Sequence, residues 1–517
     1  MDVRTLKFSL NRAAKWYPDH EAFVQGFAGP DRRYTFAEAN EVARRIANAL
    51  VDLGVEHGDR IALLNDSTVE HALVHYGATK IGAVPAAVHA REAPNPIAEM
   101  INRIRASTLV FHPRYAEKVD RFREQLTYTD TLIGLDTLGS NPEYAHDLST
   151  LMASASATEP DVEVGPDDLA FLNFSSGTTG TPKALVTRHD QITSMLQLEA
   201  GGMTEEWRVL NAFSPPFMGW ENVALTNVHV GATTVFHDGD VRRVPELAED
   251  EELTRISLVT TPWRLIHRSG NLDEYDLSSV ESAGISGEPI NPELYWELAE
   301  AVTENIGTGY GLTETMGSGT GLPARLIDEE TIASVGKPGM GCDVRVIDPE
   351  SKDPDATVPD GEVGEVIITG PSVCTEIWED PERTAETFHE DGWVFTGDLG
   401  HIEDGFLYLE GRSDNMIISG GINVYPERVE RILEDHPDIA ECAIIGVDDK
   451  EWGERVVAYV IPLAEELTAS ELEAWCLDSD DLADYQRPRE YVFVETLPRN
   501  SADKLDRTAL REHHQSG

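Results

Sequence analysis

The stretch best suited to binding and catalysis is a loop rich in hydroxyl groups and glycine that ends in a lysine. It is Ser175-Ser-Gly-Thr-Thr-Gly-Thr-Pro-Lys183, and it follows an apolar run, residues 169–174, that is typical of a buried strand. Glycines let several backbone N–H groups point at one anion, hydroxyls donate to its oxygens, and lysine adds a positive charge. The composition therefore predicts a polyphosphate-binding loop. The alternative is a surface turn of the same composition.

The loop differs from the phosphate loop of the common nucleoside triphosphatases. That motif has glycine directly before its lysine, a serine or threonine after it, and then a helix. Here Pro182 precedes Lys183, Ala184 follows it, and residues 185–187 have the composition of a second strand. We therefore expect a loop between two strands, which excludes an ordinary P-loop ATPase.

Size and charge limit the classes of partner. A chain of 517 residues is too long for one core, so two or more compact units are expected. The formal net charge is −52, from 93 acidic and 41 basic residues, and no basic patch is evident. Nucleic acid and anionic membrane surfaces are therefore poor partners.

The acidic excess also indicates a habitat. A folded protein this acidic repels itself at low ionic strength, and high salt screens that repulsion. Lysine is nearly absent and most basic residues are arginine. We infer a salt-loving cytoplasm. Lys183 and Lys504 are notable because the chain otherwise avoids lysine.

Cysteine usage and hydropathy suggest a soluble, cytoplasmic protein. The four cysteines are scattered without CxxC spacing, so we expect reduced thiols and neither a disulfide framework nor a zinc site. No secretory signal pattern opens the chain, and no run approaches the roughly 18 apolar residues of a spanning helix.

The first 300 residues alternate between strand and helix patterns. Residues 33–60 predict a helix that Thr35 and Glu38 start as a capping box and Gly54 ends. Strands are expected at 60–64, 84–88 and 107–111, with a helix at 68–81. A strand at 256–261 is expected to end at Pro262, and a helix follows at 291–303. This alternation predicts βαβ units around a parallel sheet.

The last 200 residues have a different pattern. Residues 307–315 suggest a glycine-rich connection, and short strands with turns from about residue 334 suggest a small barrel-like β unit. A boundary is expected at residues 411–414. Beyond it, a helix at 426–434 and strands at 440–447 and 456–461 suggest a small α+β domain.

Six motifs occur in the order and spacing of one known family. They are residues 175–183, Tyr310-Gly-Leu-Thr-Glu314, Thr396-Gly-Asp398, Gly411-Arg-Ser-Asp414, Gly420-Gly-Ile-Asn-Val-Tyr-Pro-Glu427 and Leu497-Pro-Arg-Asn-Ser-Ala-Asp-Lys504. From about Tyr34 to Lys504 the chain resembles the adenylate-forming superfamily of acyl-CoA synthetases, firefly luciferase and peptide-synthetase adenylation domains.

The resemblance implies an α/β fold with two domains. The large N-terminal domain, residues 1–411, would hold doubly wound βαβ subdomains and a small β-barrel-like unit. The small mobile α+β C-terminal domain, residues 412–517, would follow a hinge near Asp414.

The resemblance also implies a nucleotide site for ATP. Its residues would be Ser175, Ser176, Gly177, Thr178, Thr179, Gly180, Gly287, Glu288, Pro289, Tyr310, Asp398 and Arg412. Tyr310 would stack on adenine, Asp398 would accept hydrogen bonds from the ribose hydroxyls, and Arg412 would contact ribose or phosphate. Taken alone, these residues also suit core packing, a turn and a surface ion pair.

Four residues become candidates for catalysis by the same resemblance: Lys183, Thr313, Glu314 and Lys504. Glu314 would be the ligand of Mg²⁺, an ion that takes few protein ligands, and Thr313 would lie near the α-phosphate. Lys504 would bridge the substrate carboxylate and the α-phosphate and stabilise developing charge there. In isolation, Glu314 and Lys504 are ordinary exposed loop charges.

The implied reaction has two steps. A carboxylate attacks the α-phosphorus of ATP, pyrophosphate leaves, and a thiol then takes the acyl group from the adenylate. In the family the small domain rotates between the steps, which withdraws Lys504 and brings Gly420 and Gly421 to line a tunnel for coenzyme A. The implied partners are a small carboxylic acid and CoA, while the oligomeric state stays open.

Three departures from the family pattern bear on these roles. Ala184 and Asp503 stand where the family has glycine, and residues 213–221 lack the histidine that many relatives carry. Met218 occupies the position where peptide-synthetase domains place an aspartate that holds the amino group. This argues against an α-amino acid substrate.

The implied acyl pocket involves Phe217, Met218, Trp220, Gly284 and Gly311. Acetate-specific relatives have a tryptophan where Gly311 stands, so a longer or bulkier acid is admissible here. Met218 and Trp220 make the pocket apolar, and the neighbouring Glu221 either faces solvent or binds a polar group of the acid. We expect a medium-length fatty or aryl carboxylate.

The leading hypothesis is an AMP-forming acid–CoA ligase. One rival loads the acyl group onto a carrier-protein thiol in trans, or stops at the adenylate. Another is a nucleotide-binding regulator that has lost catalysis, and the retained Lys183, Glu314, Asp398, Arg412 and Lys504 argue against it. No sequence feature demands a luciferase.

Overall fold

The structure is a computed structural model that describes most of the chain. The residues described are 2–29, 32–135, 141–175, 183–287, 290–419, 422–449, 453–464, 467–479, 482–483, 486–500 and 504–516. They form two compact units, the first Met1–Val344 with Ile368–Val394 and the second Arg345–Ile367 with Phe395–Gly517. The functional division at residues 411–412 stays a prediction.

Across the described residues, the α-helices are α1 (Leu6–Trp16), α2 (Phe36–Asp52), α3 (Val69–Lys80), α4 (Pro94–Arg103), α5 (Ala116–Phe122), α6 (Leu148–Ser154), α7 (His189–Glu199), α8 (Met218–Val230), α9 (Val244–Asp250), α10 (Thr260–Ser269), α11 (Pro292–Ala301), α12 (Pro381–Thr387), α13 (Pro426–Glu434), α14 (Ala469–Asp478) and α15 (Arg507–Ser516).

The strands of the same residues are β1 (Glu21–Gln25), β2 (Arg33–Thr35), β3 (Arg60–Leu64), β4 (Val84–Ala87), β5 (Thr108–Phe111), β6 (Thr131–Gly134), β7 (His146–Asp147), β8 (Leu169–Ser175), β9 (Lys183–Arg188), β10 (Arg208–Asn211), β11 (Thr233–Phe236), β12 (Arg255–Val259), β13 (Ser282–Ser286), β14 (Ile306–Gly311), β15 (Gly319–Leu322), β16 (Lys337–Pro338), β17 (Asp343–Ile347), β18 (Gly364–Thr369), β19 (Trp393–Glu403), β20 (Phe406–Arg412), β21 (Ile417–Ser419), β22 (Ile422–Val424), β23 (Ile439–Asp449), β24 (Gly453–Pro462) and β25 (Glu490–Phe493).

Two large sheets build the first unit. One has the order β16-β15-β14-β13-β12-β10-β11-β1-β2, and the other has the order β7-β6-β5-β3-β4-β8-β9. Most neighbouring strands are parallel, and antiparallel pairs lie at the edges, such as β14 with β15 and β8 with β9. The predicted α/β class is confirmed.

Helices cover both faces of each sheet, as a mainly parallel sheet requires. One apolar cluster joins the two sheets, because it contains Leu63 of β3, Phe236 of β11 and buried side chains of α1, α2, α3 and α8. A second cluster packs α9, α10 and α11 against the outer face of the nine-stranded sheet. A third packs α4 and α5 against the seven-stranded sheet.

The second unit contains strands of two sheets, one earlier in the chain and one C-terminal. Most of a four-stranded sheet, with the order β17-β18-β19-β20, belongs to it, and this order does not close on itself in the described residues. The predicted small β unit is thus present as an open sheet. The C-terminal sheet pairs β22-β21-β24-β23 with β25 beside β24, and α13 and α14 cover one face while α15 covers the other.

Local sequence signals located most elements well. Thr35 and Glu38 form the predicted capping box of α2, and the α13 bounds coincide with the predicted 426–434. The prediction that Pro262 ends a strand is wrong. Strand β12 ends at Val259, and Pro262 lies in the first turn of α10, where a helix needs no backbone N–H donor.

The glycine-rich stretch 307–315 is also more regular than predicted. Residues 306–311 form strand β14, which pairs with β13 and β15. A Cβ at Gly311 would lie 2.2 Å from the carbonyl oxygen of Gly317, so the glycine permits a close backbone approach. The glycines therefore serve packing of a strand rather than a loose connection.

All four cysteines are free thiols, three of them buried. Among the described residues, no helix is long and apolar enough to cross a membrane, and no group of three or more histidine, cysteine or acidic side chains is arranged to hold a metal ion.

Candidate functional site

Strands β8 and β9 form the predicted pair on either side of the phosphate loop. They are antiparallel, and Ser175 lies opposite Lys183 where the pair opens. The Ser175 hydroxyl is buried and has no hydrogen-bond partner among the described residues, while Lys183 is partly exposed. Residues 176–182, which include the predicted Ser176, Gly177, Thr178, Thr179 and Gly180, lie outside the described residues.

The second motif is a short turn fixed directly behind that pair. Residues Thr313–Thr315 form one 3₁₀ turn after β14, and this turn contacts β8. The backbone N–H of Cys374 donates to the carbonyl of Glu314 at 2.8 Å, and the Cys374 thiol lies 4.0 Å from the Thr187 hydroxyl on β9. Cys374 thus connects the turn to the β8–β9 pair.

Side-chain hydrogen bonds hold the same turn from its other end. The Thr315 hydroxyl is buried and accepts from the N–H of Leu312 at 3.0 Å. The side-chain amide of Asn222, on α8, donates to the carbonyl of Met316 at 3.0 Å. The backbone of the turn is therefore fixed, which leaves the side chains of Thr313 and Glu314 to interact with a ligand.

The Glu314 carboxylate has the properties of a magnesium ligand. It is partly exposed and forms no ion pair or hydrogen bond with any described side chain. Mg²⁺ keeps several waters and takes one or two carboxylates plus phosphate oxygens, so a single unpaired carboxylate beside a hydroxyl fits that ion. The role of Glu314 as the metal ligand stays a prediction.

The predicted acyl-pocket residues on and next to α8 differ in position along the helix. Trp220 is fully buried, and its ring lies 4.6 Å from His71 and 5.9 Å from Phe236, so it packs in the core between the sheets. Met218 is 5% exposed at the start of the helix, directly after Phe217. Trp220 therefore supports the helix from behind, and its role in a pocket stays a prediction.

The structure decides between the two expected environments of Glu221. The side chain is only 2% exposed, so the solvent-facing alternative is wrong. One carboxyl oxygen accepts from the side-chain amide of Asn173 on β8 at 3.1 Å, and the other has no partner among the described residues. Burial raises the pKa of Glu221 to about 8, which keeps this group protonated at neutral pH.

Gly284 and Gly287 lie on β13 and just beyond it. A Cβ at Gly284 would come within 2.8 Å of the Ser257 hydroxyl, and Gly287 has a φ of +86° that other residues rarely adopt. Glu288 and Pro289 lie outside the described residues. The carboxyl ends of β13 and β14 bring Gly287 and Tyr310 to the same edge of the sheet, where ligands of parallel sheets bind.

A histidine that no sequence motif indicated lies beside the end of β8. His89, just after β4, is 7% exposed, and its ring lies 5.3 Å from Phe217 in an edge-to-face arrangement. It also hydrogen-bonds the backbone of Phe174 on β8, and burial lowers its pKa, so the ring is neutral at pH 7. Its position after the carboxyl end of a parallel strand was the one available signal.

In the second unit, Asp398 and Arg412 lie opposite each other on β19 and β20. The Arg412 guanidinium donates to Asp398 at 2.9 Å and to Asp414 at 3.1 Å. Asp398 is 8% exposed, and its N–H donates to the buried Thr396 hydroxyl at 3.0 Å. The three motif residues therefore form one ordered cluster, with Asp414 in the turn that follows β20.

Two hydrogen bonds join Asn500 and Lys504 in the C-terminal motif. The N–H of Asn500 donates to the carbonyl of Lys504 at 2.8 Å, and the N–H of Lys504 donates to the Asn500 side chain at 3.1 Å. Lys504 itself is exposed. Gly420 and Gly421, predicted for the CoA tunnel, lie outside the described residues.

Comparisons with known proteins identify the family. The family model "AMP-binding enzyme" matches residues 10–378, and the model "AMP-binding enzyme C-terminal domain" matches residues 428–504. Among curated proteins, the chain is 31% identical to the long-chain-fatty-acid–CoA ligase FadD13 of Mycobacterium tuberculosis, over 99% of both chains. It is 27% identical to the fatty acid–[acyl-carrier-protein] ligase ScoC of Streptomyces coeruleorubidus, over 98% of this chain and 96% of that one.

A solved structure agrees with the sequence relatives. The anthranilate CoA ligase AuaEII in complex with anthranoyl-AMP superposes with a TM-score of 0.88, at 26% identity, over 98% of this chain and 97% of that one. The prediction that the chain is an enzyme is confirmed. With both family models matched in order along nearly the whole chain, the protein belongs to the AMP-binding enzyme family of adenylate-forming acyl-CoA ligases.

Proposed function

We propose that this enzyme activates a carboxylic acid with ATP to an acyl-adenylate and transfers the acyl group to coenzyme A. One observation carries the proposal. The strand that enters the phosphate loop contacts the Thr313–Thr315 turn, and Cys374 hydrogen-bonds that turn and contacts β9. A polyphosphate held by the loop would therefore lie close to the Thr313 hydroxyl and to the Glu314 carboxylate, which no described side chain pairs.

The proposed chemistry needs charge neutralisation more than proton transfer. The attacking carboxylate is already ionised, so no general base is required, and the rate depends on positioning and on stabilising charge at phosphate oxygens. Lys183 would contact the phosphates and Lys504 the reacting carboxylate and α-phosphate. A magnesium ion held by Glu314 would neutralise the leaving pyrophosphate.

Asp398 suits the ribose of the nucleotide. A carboxylate accepts two hydrogen bonds from vicinal hydroxyls, and the hydrogen bond from Arg412 orients this carboxylate. In this proposal, Asp398 would bind the ribose hydroxyls and Arg412 the neighbouring ribose or phosphate oxygens. Tyr310 is assigned to adenine, beside Gly287 at the same sheet edge.

The identity of the acceptor thiol has two candidates, coenzyme A and an acyl-carrier protein. The relatives include both CoA ligases and the acyl-carrier-protein ligase ScoC. CoA is favoured because the named relatives are mostly CoA ligases, including FadD13, the indoleacetate–CoA ligase and feruloyl-CoA synthase.

Product analysis tests the proposal. The purified protein would be incubated in molar KCl with ATP, Mg²⁺ and a panel of fatty and aryl carboxylic acids, with and without CoA. We expect AMP and an acyl-CoA to appear together for a subset of acids. Pyrophosphate and adenylate formation that CoA does not change would favour the carrier-protein ligase. ATP binding without turnover of any acid would favour a nucleotide-binding regulator.

A further inference from the structure

Strands β12, β13 and β14 bury apolar side chains on one face only. Ile256, Leu258, Ala283 and Ile285 all belong to the cluster that packs against α9, α10 and α11. Because side chains alternate along a strand, the residues between them lie on the opposite face. That face carries small or polar residues that are partly exposed, among them Arg255, Ser257, Ser282, Gly284, Ser286 and Gly309.

The strand register aligns these residues in rows. Arg255 lies opposite Ser282, Ser257 opposite Gly284, and Val259 opposite Ser286. Ser286 in turn lies opposite Gly309 on β14. Serine and glycine form a strip of small side chains along the strands. It runs from the edge with Gly287 and Tyr310, where we place the nucleotide, to Arg255 at the other end.

The strip has the length of a medium-sized acyl chain. Arg255 and Val259 are four residues apart on β12, which corresponds to roughly 13 Å along a strand. The carboxylate that reacts with ATP belongs at the nucleotide end of the strip. The tail of an acid that follows the strip would point along β12 toward Arg255.

Arg255 has the chemistry to hold an anion there. Its Nε donates to the Ser257 hydroxyl at 3.3 Å, and its guanidinium lies 5.8 Å from the Trp207 ring. It forms no ion pair with any described carboxylate, so four of its five donors have no hydrogen-bond partner in this part of the chain. A guanidinium in partly buried surroundings gains most from a bidentate carboxylate.

The acidic side chain that affects Arg255 electrostatically forms no hydrogen bond or ion pair with it. Glu199, at the end of α7, acts on Arg255 only through space. Glu199 is exposed to solvent, which screens its attraction for Arg255.

We propose that the substrate of this enzyme is a dicarboxylic acid, with one carboxylate activated by ATP and the other held by Arg255 at the far end of the strip. The proposal rests on the function proposed above and names its substrate class. It also makes Arg255 a specificity-determining residue that no motif of the sequence pointed to. A purely structural Arg255, tying Ser257 to Trp207, is the competing explanation.

Matched pairs of acids test the proposal. Initial rates of AMP formation with ATP, Mg²⁺ and CoA would be compared for α,ω-dicarboxylic acids of six to twelve carbons and the monocarboxylic acids of equal length. We expect kcat/KM to favour the dicarboxylic acid at least tenfold at the best length. In R255M this preference should fall at least tenfold through loss on the dicarboxylic acid, while the monocarboxylic acid is unchanged or improved.

Two further variants and a binding measurement keep the test decisive. R255K should retain part of the preference, and R264M, on α10 at the opposite face of the same sheet, should retain all of it. A preference for monocarboxylic acids at every length, or an equal loss on both acids in R255M, would overturn the proposal. If no acid turns over, the proposed function fails, and calorimetric titration of the same pairs into the ATP-bound protein still decides whether Arg255 selects the second carboxylate.

Discussion

Glu221 and Asn173 join helix α8 to strand β8 by a hydrogen bond of 3.1 Å between a carboxyl oxygen and a side-chain amide. Both residues are 2% exposed, and the second Glu221 oxygen has no partner among the described residues. A buried carboxyl with one neutral partner is stable only when protonated, which is the reason that burial raises its pKa to about 8. The contact therefore makes part of the stability of this domain depend on pH.

The E221Q variant should be more stable than the wild type at pH 8. An unfolded glutamate ionises near pH 4.3, whereas the folded Glu221 keeps its proton until about pH 8. The unfolded state thus binds fewer protons between these values, so the stability due to this group falls as pH rises from about 4.5 to 8. Glutamine keeps the acceptor for Asn173 without ionising, and we expect a gain on the order of 2 kcal/mol at pH 8.

Urea unfolding of both proteins at pH 5 and pH 8, at one KCl concentration, measures this effect. The difference between variant and wild type should be larger at pH 8 than at pH 5. The exposed Glu205 provides the control, because E205Q should show no such dependence on pH. An E221Q protein whose advantage is the same at both pH values would show that Glu221 is ionised in the folded state.

Local signals in the sequence predicted helices and strands better than they predicted the surroundings of individual side chains. The capping box of α2 and the strands on either side of the phosphate loop follow from residues close together in the chain. The helix that contains Pro262 was missed because proline suits both a strand end and a first helical turn. The burial of Glu221 and the position of His89 depend on packing between distant segments, which no local pattern specifies.

The K504A variant should lose the first half-reaction selectively. Lys504 is exposed on its loop, and its assigned role is to stabilise charge as the carboxylate attacks the α-phosphorus. We expect adenylate formation to fall by roughly 100-fold or more, as for loss of one charged stabilising group. Transfer of the acyl group from a supplied acyl-adenylate to CoA should be nearly unchanged.

Separate assays of the two half-reactions measure this selectivity. Exchange of labelled pyrophosphate into ATP reports the first, and consumption of synthetic acyl-adenylate with CoA reports the second. K15A, which removes an exposed lysine of α1, is the control and should leave both rates intact. Equal losses in both half-reactions with K504A would contradict the assigned role.

The D398N variant should weaken ATP use without unfolding the protein. The carboxylate accepts from Arg412 at 2.9 Å and is assigned to the ribose hydroxyls. Asparagine keeps one oxygen but loses the charge, so hydrogen bonds worth about 1.5–3 kcal/mol are weakened. We expect the KM for ATP to rise at least tenfold while the thermal midpoint changes little. D360N, at an exposed aspartate, should leave the KM unchanged, and a KM for ATP that D398N does not alter would remove Asp398 from the ribose site.

Lys80 should contribute strongly to stability although the chain avoids lysine. Its side chain is fully buried, and its ammonium lies 3.2 Å from Glu159 and 3.0 Å from the Asn11 side chain. Arg44 also donates to Glu159, at 2.8 Å, so one carboxylate joins α2 and α3. Removing one partner of a buried ion pair typically costs 3–5 kcal/mol, and we expect about 3 kcal/mol for K80M because Arg44 remains.

Denaturant unfolding of K80M and the double variant K80M/E159Q tests this contribution. The double variant should recover part of the loss, because it removes the carboxylate that K80M leaves undercompensated. K15M is the control for replacing an exposed lysine and should be neutral. Equal stabilities of K80M and the wild type would show that the buried ammonium contributes nothing.

High salt should stabilise the folded protein because of its large acidic excess. The net charge of −52 makes the compact state repel itself, and raising KCl from 0.2 M to 2 M shortens the screening length from about 7 Å to below about 3 Å. Unfolding moves these charges apart, so screening favours the folded state. We expect the urea midpoint to rise by roughly 1 M over this range, because the free energy of unfolding changes linearly with urea concentration.

A comparison with an uncharged solute separates screening from general exclusion effects. Sucrose at matched osmolality, in 0.2 M KCl, also favours compact states but does not screen charge. If charge repulsion is the cause, KCl should raise the urea midpoint well beyond sucrose, and most of the rise should occur below 1 M KCl, where the screening length changes fastest. Equal effects of KCl and sucrose would mean that the acidic surface is not what limits the stability of this enzyme at low salt.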